Sequence, residues 1–102
     1  MYDAIVIGAR CAGAPTAMLL ARKGLRTLLV EKARFPSNII SSHFIHPPGV
    51  ACLKRWGLLG RVVASNCPPI HVDTADLGDF RLRGSPPPTH DGVAEAYCVR
   101  RT

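Results

Sequence analysis

Six consecutive residues, Gly8-Ala9-Arg10-Cys11-Ala12-Gly13, and one acid, Glu31, hold the strongest chemical signal in this sequence. A phosphate-binding turn needs a tight reversal at its first position, which Gly8 supplies. It also needs close helix–strand approach at its last, which Gly13 supplies. Ala12 and Ala14 add little bulk there. A helix that starts at this turn aims free backbone N–H groups and a partial positive charge at a diphosphate. Glu31 has the spacing of a carboxylate that binds both hydroxyls of a ribose and repels a 2′-phosphate. Arg10 departs from the Gly-x-Gly-x-x-Gly pattern, because it replaces the middle glycine. A side chain at that place either blocks approach to the backbone or adds a cation to the site.

These residues need elements to hold them. Residues 4–8, Ala-Ile-Val-Ile-Gly, are apolar on both faces, which predicts a buried parallel strand ending at glycine. From Gly13 the period changes. Ala12, Thr16, Leu19 and Leu20 recur at helical spacing and predict one apolar side of a helix. Pro15 falls in its first turn, Arg22 and Lys23 near its end, and Gly24 terminates it. Residues 27–31, Thr-Leu-Leu-Val-Glu, read as a second buried strand ending in the acid. Strand, turn, helix and strand in this order predict a parallel βαβ unit.

Beyond Glu31 the pattern is less regular. Phe35-Pro-Ser-Asn and His46-Pro-Pro-Gly are loop signals flanking a weak segment over 39–45. Residues 50–56 predict a short helix closed by Gly57, and residues 58–65 a second one. Residues 70–73 and 79–83 predict two antiparallel strands joined through Asp76 and Gly78. Residues 95–99 predict a last strand. The fold class is therefore α/β, a Rossmann-like βαβ arrangement with a parallel sheet and a short antiparallel excursion.

Composition narrows the partners. The chain has 102 residues, room for one small domain, and 47% of them are hydrophobic, the ordinary globular range. Residues 1–61 carry nine basic side chains against two acidic ones, within a net charge of +6. Such a half attracts phosphorylated ligands. No Lys/Arg-rich run with interleaved aromatics points to nucleic acid. The four cysteines form no Cys-x-x-Cys pair, so neither zinc nor a dithiol centre is expected. His43 and His46 are followed at once by two prolines and have no acid nearby, so no metal is expected there either. The opening Met-Tyr-Asp and the interruption at Arg10 do not read as a secretory signal, and the uncharged stretch 11–21 is too short for a membrane span. The expected home is a reducing cytoplasm.

Residues 2–37, YDAIVIGARCAGAPTAMLLARKGLRTLLVEKARFPS, resemble the N-terminus of FAD-dependent oxidoreductases related to aromatic-ring monooxygenases of the para-hydroxybenzoate hydroxylase class and to geranylgeranyl reductases. A branch of that superfamily carries Gly-x-Arg-Cys-Ala-Gly, so Arg10 becomes an expected variant. SSHFIHPPGVACLKRWGLL, GDFRLRGSPPP and AYCVRRT resemble the same branch. The resemblance implies that Gly8, Arg10, Cys11, Ala12 and Gly13 contact the FAD diphosphate, that Glu31 binds the adenosine ribose, and that Lys32 lies beside the adenine half. It implies a phosphate-region contact from Arg101, with Arg100 as the alternative. Ser41-Ser42-His43 would lie toward the flavin, with His43 in a surface or packing role or touching the flavin. Asp91-Gly92 matches a family dipeptide only superficially and reads as a turn.

Residues 1–102 would then be a single, incomplete N-terminal FAD-binding region. The expected function is the FAD-binding portion of a monooxygenase reduced by NAD(P)H and acting on a small organic substrate. Alternatives are an isoprenoid reductase or a non-catalytic nucleotide-binding module. No general acid, base or nucleophile stands out, and oligomeric state is not legible.

Overall fold

β1 (Ala4–Ile7), α1 (Gly13–Arg22) and β2 (Thr27–Val30) form at the places the pattern predicts in a computed structural model of the chain. The structure describes residues 1–37 and 39–100. β1 and β2 pair in parallel, with Ala4 opposite Thr27 and Ile7 opposite Val30. α1 packs on both strands. Its C-terminus is a Schellman motif: Gly24 donates to the Ala21 carbonyl at 2.9 Å and Leu25 to that of Leu20 at 3.2 Å. At the far end of the pair, Asp3 Oδ2 accepts from the Arg26 amide at 2.7 Å. These elements make up one compact unit, Met1–Ser37; the second is Asn38–Thr102.

Burial in the first unit departs from expectation in two ways. The strands are not buried on both faces: Ile5 is 62% and Ile7 86% exposed. Side chains alternate along a strand, so Ala4 and Val6 turn toward α1 while Ile5 and Ile7 turn away. One helix covers only one face. The inner row of α1 also differs from the expected one. Ala17 is its buried residue, flanked by half-buried Gly13 and Leu20, while Ala12 and Thr16 are exposed. Thr16 Oγ1 bonds back to the Ala12 carbonyl at 2.7 Å. The rotation follows from Gly13, which must face the end of β1 because only glycine fits there.

The second unit contains β3 (Phe44–Ile45), α2 (Pro47–Arg55), α3 (Leu59–Ala64), β4 (Pro69–Ile70), β5 (Asp73–Asp76), β6 (Arg81–Gly84) and β7 (Ala96–Cys98). β7 is the middle of an antiparallel sheet, with β3 on one side and β4 on the other. Val50 and Ala51 of α2 meet Val93 and Tyr97 in the core, and Ile45, Leu59 and Val62 pack around them. α2 begins three residues earlier than the pattern predicts, because Pro47 and Pro48 occupy its first turn, where a missing N–H costs nothing.

The antiparallel excursion exists, as the hairpin β5–β6, but its first strand is shifted. Ile70 belongs to β4, and the hairpin starts at Asp73. Asp76 sets this register. Its Oδ1 accepts from Gly78 at 3.0 Å and its Oδ2 from Arg81 Nε at 2.8 Å. The turn therefore lies after Asp76, and the strand runs back from it. Asp91-Gly92 is a turn, with Gly92 donating to the Thr89 carbonyl at 2.8 Å. His43 packs: its Nδ1 lies 3.1 Å from the Val99 carbonyl, and its own carbonyl accepts from Val99 at 3.0 Å. Among the described residues no helix is long and apolar enough to cross a membrane.

Val50 is fully buried at the centre of this core. Val50→Ala removes two methylene equivalents from a closed contact and is expected to cost about 2 kcal/mol. A urea titration that leaves the midpoint unchanged would contradict the core assignment.

Candidate functional site

β1 ends at Gly8, and the chain reverses there with Gly8 at φ 99°, a conformation that side chains other than glycine rarely adopt. The Gly8 amide still belongs to the sheet, donating to the Val30 carbonyl at 2.7 Å. Five residues later the chain returns so closely that a Cβ on Gly13 would overlap the Gly8 carbonyl oxygen. That same Cβ would stand 3.4 Å from Val6 Cγ1. The two glycines thus have different reasons, one torsional and one steric. Their combined effect is to bring the first turn of α1 against the end of β1.

Helix geometry then leaves donors open. The N-cap, Ala12, offers no side-chain cap, and the first turn holds no acid. Ala14 donates to the Arg10 carbonyl at 3.0 Å and Thr16 to that of Ala12 at 3.2 Å. The amides of Arg10, Cys11, Ala12 and Gly13 have no partner among the described residues. Unpaired amides at a helix start, together with the positive end of its dipole, form a preferred seat for an anion.

Glu31 follows β2 directly and reaches back to this turn. Its Oε2 accepts from the Ala9 amide at 2.8 Å, and its Oε1 accepts from the Ala33 amide at 2.9 Å. The carboxylate thereby ties the turn to the segment after β2. Those two amides, with a smaller contribution from the Arg10 charge, hold its pKa below the ordinary carboxylate value. It is therefore ionised at neutral pH. Each oxygen keeps a second acceptor direction.

Arg10 is half-buried and lines the same cleft. Its Nη2 donates to Ser37 Oγ at 3.2 Å, and its guanidinium carbon lies 5.7 Å from the centroid of the Phe35 ring. The cleft has a volume of about 590 Å³ and is lined by Ile7, Gly8, Arg10, Ala12, Gly13, Val30, Glu31 and Lys32. Six expected site residues, Gly8, Arg10, Ala12, Gly13, Glu31 and Lys32, thus meet in one place. Cys11 is exposed and is not among the residues that line the cleft. Arg101 lies outside the described residues. Arg100 lines a different cleft within the second unit, with Ser65, Asn66, Cys67, Pro68 and Cys98.

Sequence reading missed the contacts made by the segment after β2. Phe35 and Ser37 register in the sequence only as loop residues. The Ala9 and Ala33 amides carry no side-chain signature at all.

The residues present fit the ADP half of a dinucleotide. A glycine turn that sets the helix start against the strand end, open amides and a cation suit a diphosphate. The ionised carboxylate suits ribose hydroxyls, and Ile7 and Val30 give an apolar wall.

Residues 1–84 match the family described as FAD binding domain. Over 59 residues the chain is 39% identical to squalene monooxygenase of Eremothecium gossypii, covering 58% of this chain and 12% of that protein. It is 41% identical over 58 residues to squalene epoxidase of Saccharomyces cerevisiae, covering 57% and 12%. The squalene monooxygenase of Candida glabrata is 34% identical over 58 residues, again 57% and 12%. The matched stretch thus spans about an eighth of each relative's length.

Two outcomes follow for the cradle itself. Gly13→Ala is expected to cost roughly 1–3 kcal/mol, because the overlap is with backbone and the turn must move. Unchanged thermal unfolding would contradict the close approach. Glu31 has a depressed folded pKa, so its stabilising effect is complete above its unfolded value, about 4.3, and is lost as pH falls through the folded value. The stability gap between wild type and Glu31→Gln should therefore be widest near neutral pH and close on acidification below about pH 4. A gap independent of pH would exclude the carboxylate tie.

Proposed function

The chain belongs to the FAD binding domain family, and we propose that its N-terminal cleft holds the ADP half of FAD in a flavin-dependent monooxygenase. One observation carries this reading. A single cleft joins a glycine cradle, open amides and a cation to an ionised carboxylate at the end of β2. In it, the amides of residues 10–13 and the Arg10 guanidinium face the diphosphate, with Gly8 turning the chain and Gly13 letting the start of α1 close on the end of β1. The Cys11 and Ala12 contributions are through backbone. Glu31 accepts from the ribose hydroxyls on its two remaining acceptor directions, and its charge disfavours a 2′-phosphate. Lys32 lies beside the adenine half. Arg101 is proposed as a further contact to the phosphate region, with Arg100 as the alternative.

Bound FAD supplies the redox chemistry, with NAD(P)H as the proposed reductant and dioxygen as the co-substrate. The similarity to proteins named squalene monooxygenase and squalene epoxidase favours oxygen insertion into a small organic substrate over reduction of an isoprenoid alkene. What this chain's own side chains do is bind and orient the nucleotide end, so that the flavin is held at a fixed place.

Titration of the purified chain with FAD, followed by flavin fluorescence and absorbance, tests the reading. Saturable binding with competition by ADP is expected. Glu31→Arg should weaken it at least about tenfold, by removing acceptors for the ribose and adding a cation. Equal affinity in that variant would refute the role of Glu31, and absence of binding in the wild type would refute the cleft as a FAD site.

A further inference from the structure

We propose that Phe35 and Ser37 are positioning residues that hold the Arg10 guanidinium over the diphosphate seat, and so allow an arginine to replace the middle glycine of the turn. The proposal deepens the reading of the cleft as an ADP site and rests on it.

The difficulty at position 10 is steric. Any side chain there starts beside the open amides of residues 10–13, and a long flexible one can lie across them. Arg10 does not hang free. Its Nη2 is tied to Ser37 Oγ at 3.2 Å, and its guanidinium carbon is 5.7 Å from the Phe35 centroid. Both partners come from the segment after β2, within the same compact unit. The side chain is thus drawn to the side of the cleft formed by that segment, and the head group has a defined place.

The remaining chemistry suits an anion. A guanidinium has five N–H donors in a planar fork. Ser37 takes one, and contact with an aromatic ring uses none. The other donors are free to grip two phosphate oxygens at once. Nor is the charge consumed inside the cleft. No ion pair joins Arg10 to Glu31 among the described residues; the Arg10 head group is tied to Ser37 and Phe35 and the Glu31 oxygens to the Ala9 and Ala33 amides. Phe35 is 56% exposed, a costly place for a phenyl ring, and its contact with Arg10 gives that exposure a use. Holding the cation in place beforehand lowers the ordering cost when the anion binds.

Calorimetric titration of the full chain with ADP and with adenosine separates the possibilities. Arg10→Gln should weaken ADP about tenfold or more, as expected for losing a charge-assisted contact. Phe35→Leu and Ser37→Ala should each weaken ADP about two- to fivefold. All three should leave adenosine affinity unchanged. In the Arg10→Gln background the two loop substitutions should add nothing, whereas with Arg10 present Phe35→Trp, which keeps an aromatic face, should bind ADP like wild type. Independently of any ligand, the Arg10 Nε–H resonance should lose its ring-current shift in Phe35→Leu. If Phe35→Leu and Ser37→Ala bind ADP like wild type while Arg10→Gln does not, the positioning role is wrong and the ADP site stands. Equal loss of ADP and adenosine would mark general damage and also overturn the role. If the wild type binds neither FAD nor ADP, the site reading falls and the proposal falls with it.

Discussion

The close approach of Gly13 to the Gly8 carbonyl is the constraint on which the rest of the first unit depends. No side chain fits between them. This contact sets the rotation of α1 about its own axis, and so decides that Ala17 rather than Thr16 faces the strands. It also places the open amides of the helix start beside the end of β1. Had the helix begun one turn further away, those amides would face solvent with no cleft beneath them. The parallel pairing of β1 with β2 then brings Glu31 within reach of the same turn.

Opposite charges share this small space without neutralising each other. Glu31 is held by two backbone amides, Arg10 by a hydroxyl and an aromatic face. Each is fixed by groups of the first unit, so the cleft keeps a cation and an anion at separate points. A nucleotide that presents a diphosphate and a diol meets that pattern directly. A direct Arg10–Glu31 pair would satisfy both charges and leave less to offer a ligand.

Much of this was legible in residue order. The change from a continuous apolar run to helical spacing and back identifies β1, α1 and β2, since those periods follow from local backbone geometry. Gly8 and Gly13 announce the turn. The hairpin was visible through Asp76 and Gly78, although its register was not, because the side-chain bonds of Asp76 decide which residue closes the turn. Two prolines moved the start of α2 in the same way. Burial was misread at Ile5 and Ile7 because an apolar strand looks identical whether one or both faces are covered.

The sequence by itself determined the order of elements, the glycine turn and the presence of a well-spaced acid, because each depends on neighbours along the chain. Tertiary structure alone decided which face of α1 turns inward, what Glu31 binds and where Arg10 points. The first follows from the approach of Gly13 to the Gly8 carbonyl, and the other two from contacts between residues more than twenty positions apart, Ala9 with Glu31 and Arg10 with Phe35 and Ser37. Such contacts leave no periodic trace, since a backbone amide or a loop serine is the same in sequence whatever it touches.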